Sequence, residues 1–345
     1  MILPALIDPH VHFRTPGGEH KENWITGAKA AIAGGVTTVF DMPNNTPSTT
    51  STLALQHKKE IINEQLKTAG VPLRYYLYFG ATADNLNEIE KIEKLKDYKI
   101  VGVKLFMDAS TGNLLVDKLE DQEKIFKTCA ELKLLLAVHA VTSAKRAIEL
   151  AKKYNTKLYI CHVSTREEVK LIRQAKKDGL EVYAEVTPHH LFLTENDQKR
   201  IGTLGKMNPP LRTTEDKNAL WEAVLDGTID TIGTDHAPHT LAEKVVPEAQ
   251  APFGVPGIET SLPLLLNAYN KGKITLEKIV ELTHTNPIKI FNLPETGDKV
   301  EVDLDLEKEV RNEDLKTKCG WSPFTGQTLR GWPVATILND KIYNL

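Results

Sequence analysis

The sequence predicts a (β/α)8 barrel over residues 1–296, followed by a small β-rich segment over 297–345. Three observations carry that prediction. Short apolar or β-branched runs alternate with amphipathic stretches of helix length, the period pattern of a βα repeat. Eight such runs occur, the strand count of a closed barrel. The 345 residues exceed one average domain and suit a barrel plus a small appendage.

The predicted strands are Leu3–Ile7, Thr37–Met42, Leu73–Phe79, Val101–Phe106, Leu134–Val138, Lys157–Cys161, Glu181–Val186 and Thr231–Gly233. Helical patterns fall near 22–34, 52–69, 85–96, 120–132, 143–154, 165–178 and 215–226, with one more near 259–271. Several run into glycine, at Gly34-Gly35, Gly70 and Gly179, as helix C-termini often do. A doubly wound open sheet alternates in the same way, but no Gly-x-Gly-x-x-Gly follows the first strand to cradle a dinucleotide. Beyond Gly297, strand-like runs at Lys299–Leu304 and Val334–Leu338 enclose the turn-rich Gly320-Trp321-Ser322-Pro323-Phe324-Thr325-Gly326.

Composition excludes several classes. A hydrophobic fraction of 41% supports a large core, and a net charge of −3 without basic clusters argues against a nucleic-acid partner. Three widely spaced cysteines (Cys129, Cys161, Cys319) imply neither a disulfide framework nor a Cys-x-x-Cys metal site, so a reducing, cytoplasmic compartment is expected. The N-terminal apolar stretch is too short for a membrane span and lacks the basic start of a signal peptide.

The polar residues sort onto the strand map. His10 and His12 follow the first strand, and in extended backbone alternate side chains share a face, so His-x-His places two imidazoles together. Lys104 lies inside the fourth strand, His139 ends the fifth, His162 ends the sixth and Asp235 follows the eighth. Each in isolation reads as a structural residue or a cap. The C-terminal ends of barrel strands converge on one mouth, however, so together they predict a metal site. Lys104 sits in Val101-Gly102-Val103-Lys104-Leu105-Phe106, a run buried in a parallel barrel. A buried ammonium is costly, which leaves two readings. Either a carboxylate pairs with it, or the neutral amine has taken up CO2 to become a carbamate, a two-oxygen anion able to bridge two metals.

Asp8-Pro9-His10-Val11-His12-Phe13-Arg14, the Lys104 strand, Val138-His139-Ala140, Cys161-His162-Val163-Ser164 and Gly233-Thr234-Asp235-His236-Ala237-Pro238-His239 closely resemble the dihydroorotases of the cyclic amidohydrolase superfamily. Three linking motifs agree: Pro16-Gly17-Gly18-Glu19-His20-Lys21-Glu22, Met42-Pro43-Asn44-Asn45-Thr46-Pro47 and Phe253-Gly254-Val255-Pro256-Gly257-Ile258-Glu259-Thr260. The resemblance runs from about residue 3 to about 292. It implies two Zn2+ per subunit: His10, His12 and Asp235 on one, His139 and His162 on the other, with a carbamate on Lys104 and a hydroxide bridging them. It implies Arg14, Asn44 and His239 as the grip on a substrate carboxylate, with Asn208, Phe253 and Gly254 lining the ring pocket. The implied reaction is the reversible cyclisation of N-carbamoyl-L-aspartate to dihydroorotate, with Asp235 as general acid/base. A small-molecule substrate, no membrane or nucleic-acid partner and a homodimer are expected.

Two other readings remain at this level. Allantoinases and dihydropyrimidinases share the metal ligands but differ in the substrate grip, and a non-enzymatic scaffold of the same family would be free to lose ligands. Arg14, Asn44 and the Asp235–His239 segment favour a carboxylate-bearing ring. The relatives implied by the resemblance carry several dozen residues of β-sandwich before the first barrel strand, whereas Met1 stands almost at that strand. The β-rich C-terminal segment is thus expected to form an incomplete sandwich, through a reduced small domain or a truncated start, with apolar edge surface that promotes association. His189-His190 and His236 are read as structural, the latter pointing away from Asp235. His20, His57 and His284 are read as surface or helix residues. The segment Asp108–Asn113 is expected to be a flap over the mouth.

Overall fold

The computed structural model describes residues 1–110 and 112–345. A short strand, β1 (Ile2–Pro4), precedes the eight strands of the main sheet, β2 (Leu6–Val11), β3 (Val36–Asp41), β4 (Arg74–Gly80), β5 (Ile100–Phe106), β6 (Leu136–His139), β7 (Leu158–Ile160), β8 (Val182–Val186) and β9 (Thr231–Ile232). These eight are parallel and ordered as in the chain. The ring closes where β2 meets the backbone beyond β9, by a parallel bridge between Val11 and His236 and by the His12 amide donating to His236 O at 2.8 Å. Every residue of β2 and β3 is buried, as expected for parallel strands covered by helices. The (β/α)8 expectation holds.

Local chemistry explains the covering helices. Asn23 accepts from the amides of Ile25 and Thr26 to start Trp24–Ala33, and Thr165 with Glu168 forms a capping box at the head of Arg166–Lys177. Helices Thr52–Ala69, Leu119–Glu131, Ala144–Tyr154, Thr214–Asp226 and Ser261–Asn270 complete the jacket. The stretch expected as one helix over 85–96 is instead a short helix, Leu86–Ile89, followed by 3-10 turns at Ile92–Lys94 and Lys96–Tyr98. Its apolar residues Leu86, Ile89, Ile92, Leu95 and Tyr98 recur every third position and pack on the core. That period suits three residues per turn rather than 3.6.

The predicted strand Leu3–Ile7 splits. Residues 2–4 pair antiparallel with Lys299–Glu301, and the barrel strand starts at Leu6. Pro4 has no N–H to continue a ladder. The next two amides turn to different partners, Ala5 N to Asp298 O and Leu6 N to Gly35 O. His284, expected at the surface or on a helix, is buried in a helical turn with Nδ1 2.8 Å from Ala5 O, at this crossing point. The second sheet is antiparallel, in the order β1, β10 (Lys299–Glu309), β11 (Thr328–Leu338), β12 (Lys341–Asn344). In β10, Val300 and Val302 face inward while Lys299, Glu301 and Asp303 face out, a period of two. Among the described residues no helix is long and apolar enough to cross a membrane.

Candidate metal centre and substrate pocket

The strand ends bring the predicted ligands together. His10 closes on Asp235 with Nε2 3.3 Å from Oδ1, and His12 Nε2 lies 3.0 Å from the same oxygen. The donor atoms of these three residues lie within 4.8 Å of one another. The other ring nitrogens already have acceptors: His10 Nδ1 meets Glu185 Oε1 at 2.8 Å, and His12 Nδ1 meets Asn44 Oδ1 at 2.9 Å. These contacts give each Nδ1–H an acceptor and leave Nε2 facing Asp235, the orientation a metal-binding histidine requires. Burial opposes a charge on His10, but Glu185 and Asp235 outweigh it and hold the ring well above the ordinary histidine range. The site therefore favours a positive charge between these carboxylates, a condition that a divalent cation meets.

His139 and His162 face each other, with Nδ1 and Nε2 2.9 Å apart. Burial and nearby Lys104 push His139 down to about 3, and burial, His139 and Lys104 push His162 well below its ordinary value. Both rings are thus neutral at physiological pH, the form that ligates metals. The His162 and His10 rings are 5.4 Å apart, so the two pairs share one cavity floor. Lys104 is buried in β5, Nζ 2.9 Å from Cys161 Sγ and 5.2 Å from the centre of the Phe106 ring. Among the described residues it forms no ion pair with a carboxylate. The donor set fits a metal centre.

Three residues of this cluster have left-handed backbone: Arg14 at φ 59°, His162 at φ 41° and Asp235 at φ 45°. Such conformations cost about 1–3 kcal/mol each outside glycine and persist where the surroundings hold them. Each immediately follows or lies near a strand end, and the turn aims its side chain at the mouth.

Five of the six residues expected to meet substrate line the same cavity. Arg14, Asn44, Asn208, Phe253 and Gly254 line it with His12, Asp235, Ser110 and Ala237. Arg14 Nε donates to Pro238 O at 3.0 Å, which fixes the guanidinium. Burial pushes Arg14 down to about 10, so it stays cationic at neutral pH. His239 stands behind it, Nε2 3.2 Å from Arg14 Nη2 and 3.0 Å from Phe253 O, Nδ1 3.3 Å from Lys21 Nζ. With Lys21 donating to Nδ1, the ring proton sits on Nε2 and is donated to Phe253 O, so His239 ties the Phe253 backbone beside Arg14 and its N–H is not free for a ligand. Burial, with Arg14 and Lys21 adjacent, pushes His239 down to about 2, which keeps it neutral. Gly254 has φ +126°, and a Cβ there would lie 2.5 Å from Ala237 O, so the cavity wall admits only glycine. Of the expected flap, Ser110 reaches the cavity and Asp108 is pinned by the amides and hydroxyls of Thr142 and Ser143; Thr111 lies outside the described residues.

His236 points away from Asp235, as expected: its Nδ1 accepts from Gly257 N at 3.1 Å, and its ring meets Phe13 edge-on. His190 is held by Thr187 and by Pro209 O. His20 is exposed beside Glu243, and His57 is exposed on its helix.

Sequence reading missed Glu185. This fully buried carboxylate in β8 takes His10 Nδ1–H and the His162 amide on Oε1, at 2.8 and 3.0 Å, and the Tyr159 hydroxyl on Oε2 at 2.9 Å. Gly233 makes room for it, since a Cβ there would lie 2.5 Å from Glu185 Cδ. The signal was present: a charged residue inside a buried strand run, the same feature that marked Lys104. Glu185→Ala is expected to weaken metal affinity by about 10–100-fold, measured by chelator competition. Unchanged affinity would show that His10 needs no carboxylate behind it.

A parallel barrel with histidine and aspartate donors gathered at its mouth is the architecture of a metal-dependent hydrolase. The amidohydrolase family model matches residues 1–303, and the chain belongs to that family. It is 37% identical over 378 residues to a protein named dihydroorotase from Staphylococcus epidermidis (strain ATCC 12228), covering 99% of this chain and 87% of that one. It is 39% identical over 343 residues to the multifunctional protein CAD of Squalus acanthias, of whose length it spans 15%. Among solved structures, an L-hydantoinase (dihydropyrimidinase) from Arthrobacter aurescens superposes with a TM-score of 0.90 at 29% identity, covering 99% of this chain and 85% of that one.

Proposed function

We propose that this chain is a dihydroorotase, catalysing the reversible cyclisation of N-carbamoyl-L-aspartate to (S)-dihydroorotate and water, the third step of pyrimidine (UMP) biosynthesis. The observation that carries the reading is Arg14: a cationic guanidinium lines the same cavity as Asp235 and His12, where a ring bearing a carboxylate would rest. The similarity to a protein named dihydroorotase supports the same substrate.

His10, His12 and Asp235 would hold one zinc ion and His139 and His162 a second, with carboxylated Lys104 between them. Bound zinc lowers the pKa of water towards neutrality and polarises a carbonyl oxygen. The protein's own residues do the rest. Arg14 meets the substrate carboxylate with a planar fork, which orients the ring. The amide of Asn44 adds a polar contact beside it, and His239 holds the Phe253 backbone next to Arg14. In the hydrolytic direction, the Asp235 carboxylate accepts the proton of the attacking water and delivers it to the amide nitrogen as the C–N bond breaks. In the biosynthetic direction the same carboxylate takes a proton from the ureido nitrogen as that nitrogen bonds to the side-chain carboxyl carbon, and returns it to the carboxyl oxygen that leaves as water. Assaying purified protein on dihydroorotate, with allantoin and dihydrouracil beside it, tests the assignment; turnover of either control in preference to dihydroorotate would overturn it.

A second reading, a hydantoinase-like amidase, draws on the backbone likeness to the L-hydantoinase. Arg14 discriminates the two. A charge-assisted hydrogen bond is worth roughly 1.5–3 kcal/mol, so Arg14→Ala is expected to lower kcat/KM for dihydroorotate by about 10–200-fold. Zinc content is expected to stay normal, since Arg14 is outside the ligand set. Depleted zinc, or equal loss on every substrate, would mark Arg14 as a brace for the loop after β2.

A further inference from the structure

Lys244 ends the short helix Leu241–Lys244 that follows His239, and its side chain is fully buried. Its Nζ donates to three backbone carbonyls, Lys206 O at 2.8 Å, Pro252 O at 3.0 Å and Gly254 O at 3.0 Å. Among the described residues no carboxylate pairs with it. A buried lysine without an acidic partner is uncommon, and hydrogen bonds are its compensation. An amine nitrogen with several N–H donors is the one side-chain group that can tie three carbonyls to a single point.

The carbonyls belong to two separate loops. One carries Asn208 two residues after Lys206, and the other carries Phe253 and Gly254; Asn208, Phe253 and Gly254 all line the cavity that holds Arg14 and Asp235. Two weaker ties run between the same loops: Gly254 N donates to Lys206 O at 3.1 Å, and Lys206 Nζ lies 4.7 Å from the centre of the Phe253 ring. Behind Lys244 stands Trp321 of the C-terminal segment, its ring centre 5.7 Å from Nζ and its Nε1 donating to His239 O at 2.7 Å. Burial, with Lys206 and Arg14 adding like charge, pushes the amine down to about 7. The protonated form supplies one N–H to each of the three carbonyls, and the neutral amine keeps two of those donors.

We propose that Lys244 is a positioning residue for the substrate pocket: it sets the spacing between the Asn208 wall and the Phe253–Gly254 wall, and so governs substrate binding rather than the chemical step. Among the described residues, the backbone bond from Gly254 to Lys206, the Lys206 side chain against the Phe253 ring and Glu248 O, and apolar packing in the cluster that holds Met207 and Val255 also join these segments, but Lys244 alone ties three of their carbonyls to one atom. The inference rests on the dihydroorotase reading only in the choice of substrate for its test.

The test compares wild type, Lys244→Met and Lys244→Gln. Lys244→Met removes all three donors at similar volume and is expected to raise KM for dihydroorotate about 10-fold, with kcat within about threefold and zinc content unchanged. Lys244→Gln keeps two N–H donors and is expected to raise KM about threefold. A wild-type KM in either variant overturns the proposal. So does a fall in kcat or zinc at constant KM, which a general structural defect would produce. If Lys244→Met does not fold, Lys244→Gln decides alone. If wild type fails to turn over dihydroorotate, the functional reading falls. Hydrogen exchange then decides the positioning role: faster exchange at 206–208 and 252–254, with His10–Arg14 unchanged, supports it, and unchanged exchange in both loops overturns it.

Discussion

Asp235→Asn is expected to reduce kcat for dihydroorotate by about 10²–10⁴-fold, and Asp235→Ala to abolish measurable turnover. The carboxylate oxygen Oδ1 is the meeting point of His10 and His12, at 3.3 and 3.0 Å, so one side chain is both proposed metal ligand and proposed proton carrier. Burial raises its pKa, but His10 and His12 outweigh that and hold Asp235 well below the ordinary carboxylate range, so it enters the reaction ionised. Asparagine keeps the shape and one acceptor oxygen but neither accepts nor returns a proton. Alanine also removes the ligand. Steady-state kinetics with zinc analysis of both variants separates the two roles: near-normal zinc with slow turnover in Asp235→Asn isolates the proton transfer. A near-normal kcat in Asp235→Asn would remove Asp235 from the acid/base role.

Lys104→Ala is expected to bring turnover down to background and to lower bound zinc from two ions per chain towards one. The reason lies in its surroundings. The amine is buried beside Cys161, with His139 and His162 near enough to feel its charge, and as a cation it would repel both zinc ions. Carboxylation reverses the sign at that position and supplies two oxygens, the number a bridge requires. Alanine would leave a cavity at the proposed bridging position, and a small carboxylate such as acetate or propionate is expected to restore part of the activity by entering it. Two observations would contradict this account: full activity in Lys104→Ala, or one metal per chain with an unmodified Lys104 amine in wild type.

The proposed metal ligands were legible because each breaks the apolar pattern at a strand end. Lys104 was legible for the same reason, a charge within a run that the fold must bury. Glu185 carried that signal too, yet its partner His10 is 175 positions away, and nothing local announces such a pairing. The helix expected at 85–96 was misjudged because apolar residues three apart satisfy a loose helical template; only packing showed that the backbone follows that spacing in separate turns. The first strand was read as one because Leu3–Ile7 is uniformly apolar, while the break at Ala5 depends on Asp298 and Gly35 offering carbonyls in two different directions.

Periodicity and chemical type along the chain determined the barrel, its eight strands and the six proposed metal ligands, since both act through local backbone geometry and through which residues water excludes. Tertiary structure alone decided the partners. Asn44 orienting His12, Pro238 fixing Arg14, Lys244 tying two loops and β1 leaving the barrel for β10 all join residues far apart in sequence. A side chain's residue type states what it can bond, but its partner is whichever group close packing brings within about 3 Å. That choice is made by the whole core at once.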